Sequence, residues 1–177
     1  VSERQFYQFG RSQSLSKFDS PKIILPALSL EPRYACDDHN IVVTGGGNGP
    51  YYLLRARPGA AITNSYLLAI LNHPLSEAFV RTNTSTFGSG YYSHGKQFIE
   101  NLLIPIPTDP QRLEIETLIG QLTDTLHAVE NARTPHQKTV YERQAADLRS
   151  QIETRVTALF GLSFADMDIV RAVPIPD

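Results

Sequence analysis

The sequence predicts an α/β (α+β) fold in two parts. A sheet-rich unit occupies residues 1–107, and an antiparallel hairpin of two long helices with a short C-terminal element occupies residues 108–177. Three observations predict this. Before Thr108, short apolar and β-branched runs recur between prolines and glycines, the pattern of short strands. After Thr108, apolar residues recur every three or four positions, the period of helices with one buried stripe. The charge changes at the same place: residues 1–107 hold nine Lys/Arg against seven Asp/Glu, and residues 108–177 hold seven against eleven. An acidic helical part is ordinary, whereas a positive first part is suited to an anionic partner.

Composition narrows the classes. With 177 residues and 41% hydrophobic content, the chain can bury one ordinary core and a smaller second unit. No apolar run reaches the roughly 20 residues that span a bilayer, so no membrane partner is expected. No secretory signal heads the sequence. Cys36 is the only cysteine, which excludes an internal disulfide framework and a Cys-rich metal site and fits a reducing cytoplasm. The chain opens on Val1, and its only methionine is Met167. It therefore reads as a piece of a larger protein whose catalytic part would lie upstream.

The elements follow in order. Ser2 to Phe9 is polar and aromatic, like a linker. Gly10-Arg11-Ser12-Gln13-Ser14 is a polar loop, and Arg and Gln side chains can each form paired hydrogen bonds with a base edge. Lys22 to Pro26 is a strand, bracketed by Pro21 and Pro26 and apolar enough for burial on both faces. Arg33 to Cys36 and Ile41 to Thr44 read as a β-hairpin around the turn Asp37-Asp38-His39-Asn40. Consecutive Asp37, Asp38 and His39 lack the further ligands that would close on a metal ion. Gly45 to Gly49 looks like a phosphate loop, but such a loop must open a helix. Here Pro50 and the strand-like Tyr51 to Leu54 follow, with Arg55 and Arg57 just beyond.

The stretch from Tyr66 to Pro107 organises the first unit. Leu67, Ile70 and Leu71 mark an amphipathic helix, with Asn64 or Ser65 as its N-cap. Asn72-His73-Pro74 ends it, because the residue before proline is pushed out of the helical region. Pro74 starts a second short helix that buries Leu75, Ala78, Phe79 and Val80. Phe98 to Ile106 is a helical turn running into a strand, stopped at Ile104-Pro105-Ile106-Pro107. Gly90 to Lys96 matches the first seven positions of a nucleotide-binding P-loop. However, Gln97 stands where magnesium binding needs Ser or Thr, and no buried strand leads in. Tyr91, Tyr92, His94, Lys96 and Gln97 suit a loop that enters a nucleic-acid groove, with Lys96 on phosphate and polar tips on bases.

Past the boundary, Thr108 or Asp109 caps a helix with Pro110 near its first position. Ile115, Leu118, Leu122, Leu126 and Val129 form its stripe. Thr134-Pro135 starts the second helix, whose stripe is Tyr141, Ala145, Leu148, Ile152, Val156 and Leu159, and Gly161 ends it. The two charged-backed helices suit a coiled-coil-like hairpin. Ser163 to Val173 is a short capped helix or strand, with Ser163 and Asp166 in capping-box positions.

The succession Phe9-Gly10-Arg11-Ser12-Gln13-Ser14-Leu15, Pro21 to Pro26, Arg33 to Asp38, Tyr66 to Asn72, Gly90 to Ser93 and Ile104 to Pro107 resembles the TaqI-like C-terminal specificity domain. Those domains follow the methyltransferase of fused, type IIG-like restriction-modification enzymes that modify adenine. The hairpin after the proline-rich segment also resembles the spacer of type I specificity subunits. The resemblance implies a target-recognition domain that reads double-stranded DNA beside an upstream methyltransferase domain. It implies S-adenosylmethionine for that parent and an Asn-Pro-Pro-Tyr motif, which this sequence lacks. Neither catalytic residues nor a cofactor or metal site is therefore expected in this stretch. The expected base contacts are Arg11, Gln13, Ser14, the Gly45–Gly49 region, Tyr91, Tyr92, His94 and Gln97. The expected phosphate contacts are Lys17, Lys22, Arg55, Arg57, Arg81 and Lys96. Two other readings stand beside this one: an assembly module that docks a partner through the helical hairpin, and a hydrolase pairing His94 with Asp37 or Asp38.

Overall fold

Residues 21–31, 33–41, 50–84, 86–87 and 90–173 are described in the computed structural model of the chain. Arg11, Gln13, Ser14, Lys17, the Gly45–Gly49 region and the expected strand at residues 42–44 lie outside them. The fold is a mixed α/β one. Its elements run β1 Lys22–Pro26, β2 Leu28–Ser29, β3 Ala35–Asp37, β4 Tyr51–Leu54, α1 Asn64–Leu71, α2 Pro74–Asn83, β5 Thr86–Phe87, β6 Tyr91–Ser93, α3 Lys96–Ile99, α4 Asp109–Glu130, α5 Pro135–Leu159 and α6 Phe164–Arg171.

The strands form two small antiparallel sheets, ordered β3-β1-β4 and β2-β6-β5. β1 and β2 are one chain path that changes sheets at Ala27. Ala27 N–H donates to the Pro50 carbonyl at 2.8 Å. Pro50 has no N–H to return a bond, and the Ala27 carbonyl accepts from His94 N–H at 2.9 Å instead. A single proline thus helps hand the strand from one sheet to the next. β3 pairs with β1 in the register Lys22↔Asp37, Ile23↔Cys36 and Ile24↔Ala35. The β-hairpin expected between Arg33–Cys36 and Ile41–Thr44 falls on residues 42–44, which lie outside the described residues. Asp37 closes its turn locally, its carboxylate accepting from the amides of His39 at 2.9 Å and Ile41 at 2.8 Å.

Three further expectations change. The segment Ile104 to Ile106 joins neither sheet. Pro105 and Pro107 remove ladder donors, and the Tyr66 hydroxyl takes the Pro105 carbonyl at 2.9 Å. The N-cap of α1 is Thr63, whose Oγ1 accepts from Tyr66 N–H at 3.2 Å. Asn64 is engaged elsewhere: its side chain accepts from Ala56 N–H at 2.8 Å and donates to the Pro21 carbonyl at 3.0 Å. On α2, Ala78 and Val80 are buried as expected, whereas Leu75 and Phe79 are half-buried.

α1 belongs to two cores. Leu67 and Leu71 pack with Ile23, Leu25, Val80 and Tyr92 against the sheets. Tyr66, Ala69 and Ile70 pack with Ile115, Ile119, Ile152 and Val156 of the hairpin. Polar bonds reinforce this joint. Thr63 Oγ1 donates to Glu116 at 2.7 Å. His73 caps α2 by accepting from Leu75 N–H on Nδ1 at 3.2 Å, so Nε2 carries the proton and donates to Thr157 Oγ1 at 3.0 Å. α4 and α5 form the predicted hairpin, starting behind Thr108 and Thr134. The turn after it is left-handed at Gly161, φ 67°, which favours glycine. The segment after Ser163 is a helix, and the predicted capping box of Ser163 and Asp166 is present. No helix among the described residues is long and apolar enough to cross a membrane.

Candidate nucleic-acid interface

The aromatic, glycine-bounded corner where β6 passes into α3 holds five of the expected contact residues. It begins at Gly90, held at φ 80° where only glycine is unstrained. The pleat of β6 then sorts the side chains. Tyr91 is half-exposed and Tyr92 is fully buried. His94 is buried as well, and Lys96 and Gln97 stand exposed at the start of α3. Gly95 closes the corner: its N–H donates to Ser93 Oγ, and a Cβ there would meet that oxygen at 3.2 Å.

Tyr92 and His94 are therefore supports and do not reach a ligand from this position. Their rings pack 4.6 Å apart, and Tyr34 meets His94 edge-on at 5.4 Å. The Tyr34 hydroxyl and His94 Nδ1 share a buried hydrogen bond. Nε2 is buried and has no hydrogen-bond partner of ordinary geometry among the described residues. Burial pushes the His94 pKa down to about 4, and the Ser29 carbonyl only softens that shift, so the ring is neutral near pH 7. The Tyr92 hydroxyl donates to Glu77 at 3.3 Å. Its pKa is raised, first by burial and then by the Glu77 charge.

Two expected phosphate contacts are also engaged inside the fold. Lys22 is 2% exposed and ion-paired with buried Asp37. Burial alone would raise the Asp37 pKa, but the Lys22 hydrogen bond, the two turn amides and the ammonium charge outweigh it and hold the carboxyl below its usual range. Arg81 pairs with Glu77, donates to the Val173 carbonyl at 3.2 Å and lies over the Tyr92 ring at 5.9 Å. It latches the end of α6 to the underside of the β6 corner. Arg55 and Arg57 are exposed after β4, and Lys96 is exposed beside Glu100, 3.7 Å away.

The supporting network of Tyr34, Glu77 and Arg81 was not foreseen. A period of two along Tyr91, Tyr92, Ser93 and His94 was a signal for half of it, since it places residues 92 and 94 on one face. Tyr34 lies 60 residues away in sequence and left no local trace. The hydrolase pairing is not formed: His94 Nδ1 is taken by Tyr34, and Asp37 by Lys22 and two amides. Asp38 sits exposed beside His39 at 3.7 Å. No three His, Cys, Asp or Glu side chains among the described residues converge as metal ligands.

Neither protein-family models nor curated proteins gave a match to this sequence. A solved structure did. The fold is similar, at TM-score 0.59 and 15% identity, to part of the Type IIL restriction-modification enzyme MmeI in its complex with DNA. The likeness covers 89% of this chain and 20% of that one, so the chain spans about a fifth of the length of MmeI and shares with that part its fold.

Proposed function

We propose that this chain is a non-catalytic target-recognition module that reads sequence in double-stranded DNA. One observation carries the reading: nearly the whole chain matches one part of an enzyme that was solved on DNA. The ordered motifs that resemble TaqI-like specificity domains support it independently. In this reading an upstream methyltransferase domain holds S-adenosylmethionine and modifies adenine. Lys96, Arg55 and Arg57 meet phosphates, Tyr91 and Gln97 approach base edges, and Arg11, Gln13 and Ser14 add base contacts. Tyr92, His94 and Arg81 hold the corner from below.

Selection of residues 1–177 on a randomised duplex library, followed by sequencing, tests the proposal. A defined enriched site is expected. Lys96→Ala should weaken all duplexes alike and lower the salt slope by about one. Arg11→Ala or Gln13→Ala should cost roughly 1–3 kcal/mol on the enriched site and little elsewhere. Absence of any enriched duplex would overturn the reading. The assembly alternative draws on exposed Leu113 and Val140 of the hairpin. It predicts that polar substitutions there abolish capture of a partner protein while duplex binding stays intact.

A further inference from the structure

The outer face of the sheet β2-β6-β5 carries large apolar side chains that the fold leaves in solvent. Leu28 is 46% exposed, Leu30 is 48% and Tyr91 is 42%. The register explains why they share a face. Ser29 lies opposite buried Tyr92, so Leu28, opposite Ser93, points outward. Leu30 is one step further, beside Tyr91, and a Cβ on Gly90 would lie 3.7 Å from its Cδ2. Exposed cations follow both strands, Arg33 after β2 and Lys96 after β6. Because β2 and β6 are antiparallel, these cations leave the strip at opposite ends. Among the described residues, the charged neighbour of each is an exposed carboxylate, Glu31 at 3.3 Å and Glu100 at 3.7 Å. Such surface pairs contribute about 0–1 kcal/mol and leave the cation able to turn to a phosphate.

We propose that Leu28, Leu30 and Tyr91 form an apolar contact strip for the major groove of duplex DNA, reading thymine methyl groups, with Arg33 and Lys96 on the flanking phosphates. An apolar centre between two cations complements a groove with base methyls at its floor and phosphates on both rims. The dimensions agree: three strands at about 4.8 Å spacing span roughly 10 Å, against a groove about 12 Å wide. The inference rests on the DNA-reading function and adds the face and the chemistry by which it reads.

The test measures anisotropy of labelled duplexes with residues 1–177. Leu28→Ser/Leu30→Ser should weaken binding about tenfold with an unchanged salt slope and melting temperature, since both side chains are exposed. Arg33→Ala should lower the salt slope by about one. Replacing thymine by uracil should weaken the wild type about fourfold, the loss of a single methyl contact, and leave the double variant unaffected. A photo-crosslinking residue at Leu30 should attach to DNA, and one at Leu113 should not, which decides the matter even where the double variant fails to fold. If the wild type binds duplexes while the double variant and the uracil duplexes match it, this face is wrong and the DNA reading stands. If the wild type binds no duplex, the proposed function falls and the strip falls with it. If duplex binding is intact but the double variant loses association with a methyltransferase domain, the strip is a protein interface and the proposal is overturned.

Discussion

The sheet unit and the helical hairpin hold themselves together in different ways. The hairpin is built from helices of 22 and 25 residues, each closing its own backbone hydrogen bonds. Its tertiary contacts need only one periodic stripe. The sheet unit is built from strands of two to five residues, too short to stand alone. There, polar side chains supply the missing order. Lys22 meets Asp37, and Tyr34 meets His94. Asn72 binds the Tyr34 backbone twice, accepting from its N–H at 3.2 Å and donating to its carbonyl at 3.1 Å. Short secondary structure is thus compensated by specific side-chain bonds, each of which can be broken by one substitution.

The largest effects should come from burying a charge in the hairpin core, on the helix that joins it to the sheets or further out. Ile70 is fully buried in the hairpin core and sits on the helix shared by both cores. Ile70→Asp should cost more than about 4 kcal/mol and remove amide-exchange protection from both regions. Leu148, further out on the hairpin, is also buried. Leu148→Asp should open the hairpin while the strands keep their protection, and exposed Arg149→Ala should change stability by less than about 0.5 kcal/mol. Equal melting temperatures for the two hairpin variants would show the seam misassigned.

Next in size is the buried ion pair of the sheet unit. Lys22→Ala strands the Asp37 carboxylate and should cost about 3–5 kcal/mol by denaturant melting. Removing both charges while keeping an acceptor for the turn amides, as in Lys22→Met/Asp37→Asn, should recover most of that loss. A double variant as weak as the single one would mean that the pair contributes more than mutual neutralisation.

Acid should separate the regions more gently. Burial lowers the pKa of His94 to about 4. It also lowers that of His73, where the Glu153 charge opposes the shift and Arg171 assists it. A histidine whose folded pKa lies below its unfolded value of about 6.5 contributes stability that is fully present above pH 6.5. That contribution falls as the pH drops below 6.5, and for His94 the fall ends near pH 4. For His94 it amounts to something on the order of 3 kcal/mol. Melting temperatures of wild type and His94→Gln should therefore converge between pH 6.5 and 4, and parallel curves would remove His94 from the account. The smallest expected change is Thr134→Ala. It removes the acceptor for Gln137 N–H at the start of α5 and should cost about 1 kcal/mol, confined to the hairpin.

The sequence by itself determined what depends on near neighbours. Both long helices, their caps at Thr108 and Thr134, the stop at Gly161 and the Ser163–Asp166 box were legible because helical period and capping act within four residues. The strand at Lys22–Pro26, the breaks at His73-Pro74 and the exposure of Tyr91, Lys96 and Gln97 were legible for similar local reasons. Tertiary structure alone decided which charged and aromatic residues remain at the surface. Lys22 looked like a surface cation until Asp37, fifteen residues on, was brought opposite it by strand pairing. Tyr92 and His94 looked like groove contacts until Tyr34, Glu77 and Arg81 arrived from three other segments. The pairing of β3 with β1 and the sharing of α1 between two cores are equally non-local. Local preferences set the conformation of a segment, but burial is a property of whatever the rest of the chain places over it.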